Sequence, residues 1–178
     1  MTSAELLKNW RVVYLANFAG AAGLALLVYF SGHWQMSNGA VGVQMIKIAA
    51  AKASLTFWEA FFKGILCNIL VCLAVWTALA GRSVTDKIFA ILLPVSAFVA
   101  AGFEHSVANM YFLPLGILVQ GYFPLTGLPV LTWFDLLCNL IPVTLGNIAG
   151  GGVMVAIVYY LIYRDRGSDE LSRKSPPS

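Results

Sequence analysis

Long apolar runs separated by short polar connections dominate the chain. The runs 12–30 and 57–80 are each long enough to cross a membrane as one helix, since a span needs about 20 apolar residues. A similar run extends from Leu136 to Tyr163 and contains Pro142. This pattern predicts an all-α integral membrane protein.

The run from Ile88 to Val119 is too long for one span, yet it contains no polar loop that could separate two. Glu104 and His105 lie in its middle, and Pro114 follows. We therefore predict a broken helix whose halves meet near mid-membrane between Glu104 and Pro114. Unwound backbone at that depth is tolerated only where protein or a water-filled cavity satisfies its polar groups. Counting the broken helix as one crossing gives four membrane segments.

The remaining stretches predict connections and a tail. The weakly amphipathic stretch 31–53 is interpreted as an excursion along the membrane interface, and 121–135 has the prolines and glycines of a loop. The charged and then Ser/Pro-rich stretch 164–178 predicts a disordered cytoplasmic tail. We thus expect a membrane domain over 1–163, followed by that tail.

Composition excludes a soluble domain, because 60% of the residues are hydrophobic and 11% are charged, with a mean hydropathy of +0.80. Soluble domains are about 25% charged. The net charge of +3 comes from basic residues beside apolar runs and not from a patch suited to nucleic acid, so no nucleic-acid partner is expected. No signal-peptide cleavage site is convincing, and we expect the first helix to be retained.

Charge also predicts orientation, because four crossings place both termini on one side of the membrane. The basic residues on that side are Lys8, Arg11, Arg82, Lys87, Arg164, Arg166, Arg173 and Lys174, against Lys47 and Lys52 on the other. The positive-inside rule then predicts cytoplasmic termini. Within the spans, the pairs Gly20 with Gly23 and Gly146 with Gly150 predict close contacts between helices.

His105 is the strongest candidate for chemistry, because an ionisable side chain within a broken membrane helix is costly and usually functional. Histidine gains or loses a proton near physiological pH, which suits a pathway for the anion of a weak acid. The alternative is a histidine that holds unwound backbone together. Its neighbour Glu104 points elsewhere. We expect that carboxylate to satisfy free N–H groups at the break or to pair with a lysine, and not to act as an acid catalyst.

Polar residues in the flanking segments are further candidates. Lys52 precedes the second run, where it either reaches lipid headgroups or draws anions toward a vestibule. Asn68 and Asn147 lie in apolar helices and need partners, which are either a neighbouring helix or water and substrate in a pore. Glu59 and Lys63 are four residues apart and are expected to form an ion pair.

Cys67, Cys72 and Cys138 all lie in apolar segments and are expected to be buried packing residues. The sequence contains no Cys/His cluster with metal-ligand spacing, catalytic triad, phosphate-binding loop or dinucleotide motif. We therefore expect no metal, no cofactor and no enzymatic activity.

Three stretches, taken in order, resemble the formate/nitrite transporter family. They are Lys52 to Trp76 with the core Gly64-Ile65-Leu66-Cys67-Asn68, Ala101 to Met110 with Gly102-Phe103-Glu104-His105-Ser106, and Asn139 to Gly151 with Pro142-Val143-Thr144-Leu145-Gly146-Asn147. The resemblance extends from about Leu7 to Tyr163. It implies an aquaporin-like helical bundle in a bacterial inner membrane, pentamers with one pore per subunit, and passage of formate, nitrite or related small monovalent anions, often coupled to protons.

The resemblance also implies a substrate pathway through His105, Lys52, Asn68, Phe98, Glu104 and Asn147. In it, His105 is the central pore histidine and Lys52 helps to draw the anion inward. Asn68 lines the pore, and Phe98, seven residues before the histidine, helps to form a hydrophobic constriction. The other two positions match the acid beside the histidine and the asparagine of the last helix.

Members of the family have six membrane segments built as two inverted repeats, each with a broken helix. The resemblance implies that this chain begins just before the third segment. An alternative to transport is therefore a transport-inactive membrane fragment or assembly partner. A channel for neutral solutes is a further alternative, which the absence of an Asn-Pro-Ala motif disfavours.

Overall fold

The computed structural model describes residues 2–123 and 127–162, and these form helices joined by short connections. The α-helices are α1 (Ser3–Phe30), α2 (Ala40–Ala53), α3 (Phe57–Ala80), α4 (Val84–Ala100), α5 (Ser106–Val119) and α6 (Trp133–Ile148). Short 3₁₀ turns occupy His33–Gln35 and Gln120–Tyr122, and the π-helical stretch Ala149–Val155 extends α6. Within the described residues, the helices long and apolar enough to cross a membrane are Ser3–Phe30, Phe57–Ala80 and Trp133–Ile162.

Helices α4 and α5 are the two halves of the predicted broken helix. Helix α4 ends in a Schellman motif, in which Gly102 adopts a left-handed φ of 66°. The Gly102 N–H donates to the Val99 carbonyl at 3.1 Å, and the Phe103 N–H donates to the Phe98 carbonyl at 3.0 Å. The break thus occupies 101–105. The prediction that it reaches Pro114 is wrong, because this buried proline is accommodated within α5.

The buried core lies where α1 and α2 pack against α5. Ile46 of α2 belongs to this core together with Met110 and Leu113 of α5, and all three side chains are buried. Helix α3 packs against both α4 and α6. Helix α2 of the stretch 31–53 also packs against α5, and its place at the membrane interface stays a prediction. Its weak amphipathicity reflects one side buried against protein.

Capping boxes begin α1, α3, α4 and α6, so a side chain before each helix bonds to its first turn. In α3, the Glu59 carboxylate accepts the backbone N–H of Thr56 at 2.9 Å and the Thr56 hydroxyl at 2.7 Å. The predicted ion pair between Glu59 and Lys63 does not form, because the carboxylate is held at the start of the helix.

Close approach of α6 to α3 depends on Gly146 and Gly150. A Cβ atom at either position would overlap a main-chain carbonyl of α3, which confirms the predicted contact. The same prediction is wrong for Gly20 and Gly23 within the described chain, since a Cβ at either would meet nothing within 4 Å.

We expect Gly146→Ala to destabilise the packing of α6 on α3. The added methyl group would overlap the Phe61 carbonyl, and main chain moves less readily than a flexible side chain. Overpacking of this kind costs about 1–3 kcal/mol. Thermal unfolding in detergent measures the loss. Gly20→Ala is the matched control and is expected to be neutral or slightly stabilising. Equal destabilisation by both substitutions would contradict this account.

The three thiols are free, with Cys67 buried and Cys72 half-buried. Cys138 is exposed, so the prediction that all three are buried is wrong for it. It lies on the outer side of α6, away from the buried Leu136 and Leu140. The predicted end of the last span at Tyr163 and the tail at 164–178 lie outside the described residues.

Candidate functional site

A closed ring of polar contacts joins α2, the break, α5 and α6. Lys52 Nζ lies 3.0 Å from Glu104 Oε1, and Glu104 Oε2 accepts from Asn109 Nδ2 at 2.6 Å. Asn109 Nδ2 also donates to Asn139 Oδ1 at 2.7 Å, and Asn139 Nδ2 donates to the Lys52 carbonyl at 2.9 Å. Glu104, Asn109 and Asn139 are buried. The ring therefore gives a buried carboxylate the cation and hydrogen bonds that burial of a charge requires.

Asn147 connects the unwound backbone of the break to the helices around it. Its Nδ2 donates to the carbonyls of Gly64 at 2.9 Å and Glu104 at 3.0 Å, and its Oδ1 accepts the Ser106 N–H at 3.0 Å. The Asn147 carbonyl accepts a hydrogen bond from Asn68 Nδ2. Main-chain groups at a helix break need such partners inside a membrane. The sequence left two kinds of partner open for these asparagines, a neighbouring helix or a pore. The structure shows the first, since both side chains bond to other helices.

His105 is the N-cap residue of α5, where its Nδ1 accepts the Ala108 N–H at 3.4 Å. A nitrogen that accepts carries no proton, so this contact assigns the proton of the neutral imidazole to Nε2. The half-buried ring lies parallel to that of Phe98, with centroids 6.0 Å apart and an interplanar angle of 20°. The cap and the stacked ring hold the imidazole in place. Nε2–H then remains a potential donor to a bound group.

Two cavities meet at His105. The first, which we call the lysine cavity, measures about 440 Å³ and is lined by Lys52, Lys63 and Phe98 together with Glu104 and the histidine. The second, the α1 cavity, measures about 550 Å³ and lies between α1 and α5. His105 lines both cavities. An imidazole in their shared wall can contact a small molecule from either side.

A third cavity of about 350 Å³, the asparagine cavity, lies beside the α1 cavity, and Asn17 lines both. Its lining includes Asn68, Asn147 and Thr144, which supply amide and hydroxyl groups. The three cavities therefore follow one another through shared lining residues, with His105 between the first and the second.

The structure brings four of the six predicted pathway residues together in the lysine cavity: Lys52, Phe98, Glu104 and His105. Asn68 and Asn147 line the asparagine cavity instead. Of the alternatives for Glu104, pairing with a lysine is the one observed. The Lys52 side chain points toward that carboxylate and is 16% exposed.

Sequence reasoning missed Asn109 and Asn139, which complete the ring, and Asn17 of α1, which lines two cavities. An amide inside an apolar run is the signal that could have identified all three, as it identified Asn68 and Asn147. Lys63 was considered only as a partner of a glutamate. Its place in the lysine cavity could not be inferred from spacing along one helix.

The chain matches the family model described as formate/nitrite transporter over residues 1–161. It is 42% identical over 168 residues to the formate channel FocA of Haemophilus influenzae, which covers 88% of this chain and 59% of that protein. It is also 42% identical over 176 residues to the formate channel FocA of Escherichia coli strain K12, which covers 92% of this chain and 61% of that protein.

Solved structures agree with these sequence matches. One described as a pentameric formate channel with formate bound superposes with a TM-score of 0.82 at 42% identity, covering 89% of this chain and 67% of the other. One described as an FNT family ion channel superposes with a TM-score of 0.78 at 31% identity, covering 91% and 61%. The chain spans 59% and 61% of the lengths of the two curated relatives named above.

Proposed function

The chain belongs to the formate/nitrite transporter family, and from this premise we propose that it carries formate, and nitrite as a related small monovalent anion, across a membrane. The pathway passes His105, and transport is linked to protons. The chain acts as a subunit of a pentamer in a bacterial cell membrane, with both termini in the cytoplasm. The bound formate and the pentamer belong to the solved relative and support this proposal by similarity.

The observation that carries the proposal is the position of His105 in the wall between the lysine cavity and the α1 cavity. Nδ1 is engaged by the Ala108 N–H, so Nε2–H of the neutral ring is the donor left for an anion. A hydrogen bond or a proton from this nitrogen stabilises the carboxylate where the pathway is narrowest. Phe98 stacks on the ring and restricts passage to small solutes.

The other pathway residues support His105 from both sides. Lys52 attracts the anion on one side, and Glu104 holds the lysine ammonium in position at 3.0 Å. Asn147 fixes the break from which His105 projects, through its hydrogen bond to the Glu104 carbonyl. Asn68, on the other side, offers an amide to an anion or to water in the asparagine cavity.

Uptake of radiolabelled formate and nitrite into liposomes that contain the chain tests the proposal. We expect saturable uptake above that of empty liposomes, and a reduction of about tenfold or more in His105→Ala, because the narrow centre then has no donor. Val130→Ala is the matched control, since Val130 is 80% exposed and lines none of the three cavities.

Absence of uptake above empty liposomes, with insertion verified by protease protection, would contradict transport by this chain. That result would instead favour a membrane fragment or assembly partner without transport activity of its own. Uptake that is equal in the chain and in His105→Ala would contradict the role of the histidine while leaving transport intact.

A further inference from the structure

The lysine cavity contains charged and titratable groups from three parts of the chain. Lys52 comes from α2, Lys63 from α3, and Glu104 and His105 from the break. With the imidazole neutral, these groups sum to one positive charge. An incoming anion is attracted mainly by the ammonium whose charge no neighbouring carboxylate balances.

Lys52 is compensated by Glu104. Its Nζ lies 3.0 Å from Oε1 of this 4%-exposed carboxylate, and the two charges largely cancel at the distance of an approaching ion. The pair contributes a local dipole. It does not supply the net charge of the cavity.

Lys63 is not compensated in this way. Among the described residues, no carboxylate lies within 4.0 Å of its ammonium, and Lys63, which is half-buried, is one of the residues that line the same cavity as His105. Glu59, one turn earlier on α3, is exposed and accepts two hydrogen bonds from Thr56. Solvent screens an exposed carboxylate more strongly than it screens a cation at a cavity wall.

We propose that Lys63 is the cation that collects small monovalent anions in the lysine cavity and binds them before they reach His105. The proposal rests on the proposed transport function and adds a residue to it. An anion held by Lys63 is already in the cavity that the imidazole lines. Lys52, paired with Glu104, then attracts the anion at short range within the cavity, and Lys63 supplies the long-range attraction.

Substitution of Lys63 tests this through the concentration and salt dependence of formate uptake. At about 0.01 M ionic strength, where the Debye length is about 30 Å, we expect Lys63→Met to raise KM by about threefold or more with little change in maximal rate. At about 1 M the Debye length is about 3 Å, and the difference should largely disappear. Lys63→Arg keeps the charge and should stay within about twofold of the unaltered chain.

Lys47→Met is the matched control, because Lys47 is exposed on α2 and does not line the lysine cavity. A KM that is unchanged in Lys63→Met, or raised equally by Lys47→Met, would overturn the proposal. A merely structural role for Lys63 would lower the maximal rate at every salt concentration, which would also overturn it.

The electrostatic potential that Lys63 produces in the lysine cavity can be measured with a thiol reporter, which does not require transport. Ala51→Cys places a thiol on the wall of the lysine cavity, in a background where Cys72 and Cys138 are replaced by Ala and buried Cys67 is kept. The rates of modification by an anionic and a cationic methanethiosulfonate are compared. We expect Lys63→Met to lower the anionic-to-cationic ratio by about threefold or more, whereas an unchanged ratio would overturn the proposal.

The two measurements separate this proposal from the transport function. Should no variant take up formate, the transport proposal fails, and the thiol ratio still decides whether Lys63 sets the potential of the cavity. Should uptake be saturable and sensitive to His105 while Lys63→Met changes neither KM nor the thiol ratio, transport stands and Lys63 has no part in it.

Discussion

Replacement of Lys52 by Met is expected to lower the free energy of unfolding by about 3–5 kcal/mol, the usual cost of leaving a buried charge without its partner. Met preserves most of the volume of the aliphatic part of lysine. The lost stability can therefore be assigned to the missing ammonium charge. The Glu104 side chain is 4% exposed, and its remaining contact in the ring is the 2.6 Å hydrogen bond from Asn109. Thermal or denaturant unfolding in detergent measures the effect.

A double substitution separates the charge from the packing. In Lys52→Met combined with Glu104→Gln, no charge remains buried, and we expect a substantial part of the lost stability to return. Lys47→Met removes an exposed lysine from the same helix and should stay within about 0.5 kcal/mol of the unaltered chain. If the double variant were no more stable than Lys52→Met, an uncompensated carboxylate could not be the cause of the loss.

The broken helix was predictable because its signals are local in the sequence. The run from Ile88 to Val119 is too long for one span, and the ionisable pair at its centre, Glu104 and His105, is costly within a membrane. The end of α4 has a local signal too, since Gly102 takes the left-handed conformation that closes a Schellman motif. Proline was the misleading signal, because Pro114 is accommodated within α5.

The polar ring around Glu104 was only partly predictable. A lysine partner was among the alternatives, but Lys52 lies 52 residues away in sequence, and Asn139 reaches the Lys52 carbonyl across 87 residues. Hydrophobic periodicity places a residue on a face of its own helix and contains no information about which residue of another helix it meets. For the same reason, Lys63 was assigned to Glu59, its neighbour by helical spacing, although it lines a cavity with residues of other elements.

The packing of α2 against α5 was not predicted, for a physical reason of the same kind. A weakly amphipathic stretch fits either a lipid interface or a helix with one buried side, and the sequence of α2 alone does not separate them. In the structure, small residues let α2 pack closely on α5. Ala49 and Ala50 are buried in the core, and a Cβ on Gly116 of α5 would overlap Ala49. Such close approach requires complementary small positions on both helices.

Replacement of His105 by Asn is expected to abolish the pH dependence of formate uptake that comes from the imidazole, while uptake itself continues. Asn is a good N-cap residue, so its Oδ1 can accept the Ala108 N–H as the imidazole does, and its Nδ2 keeps a donor in the wall of the lysine cavity. It has no proton to release between about pH 5 and 8, the range in which histidine titrates. His105→Phe keeps a ring against Phe98 and loses both the cap and the donor.

Uptake of radiolabelled formate at a series of external pH values, corrected for empty liposomes, distinguishes these variants. As pH falls, more of the imidazole is protonated, and the positive charge strengthens the hydrogen bond that Nε2–H donates to the anion, so uptake by the unaltered chain should rise. The rise should be absent in His105→Asn, and His105→Phe should show little uptake at any pH. Parallel pH profiles for the unaltered chain and His105→Asn would show that the pH dependence comes from formic acid or from another group, and would remove proton transfer at His105 from the mechanism.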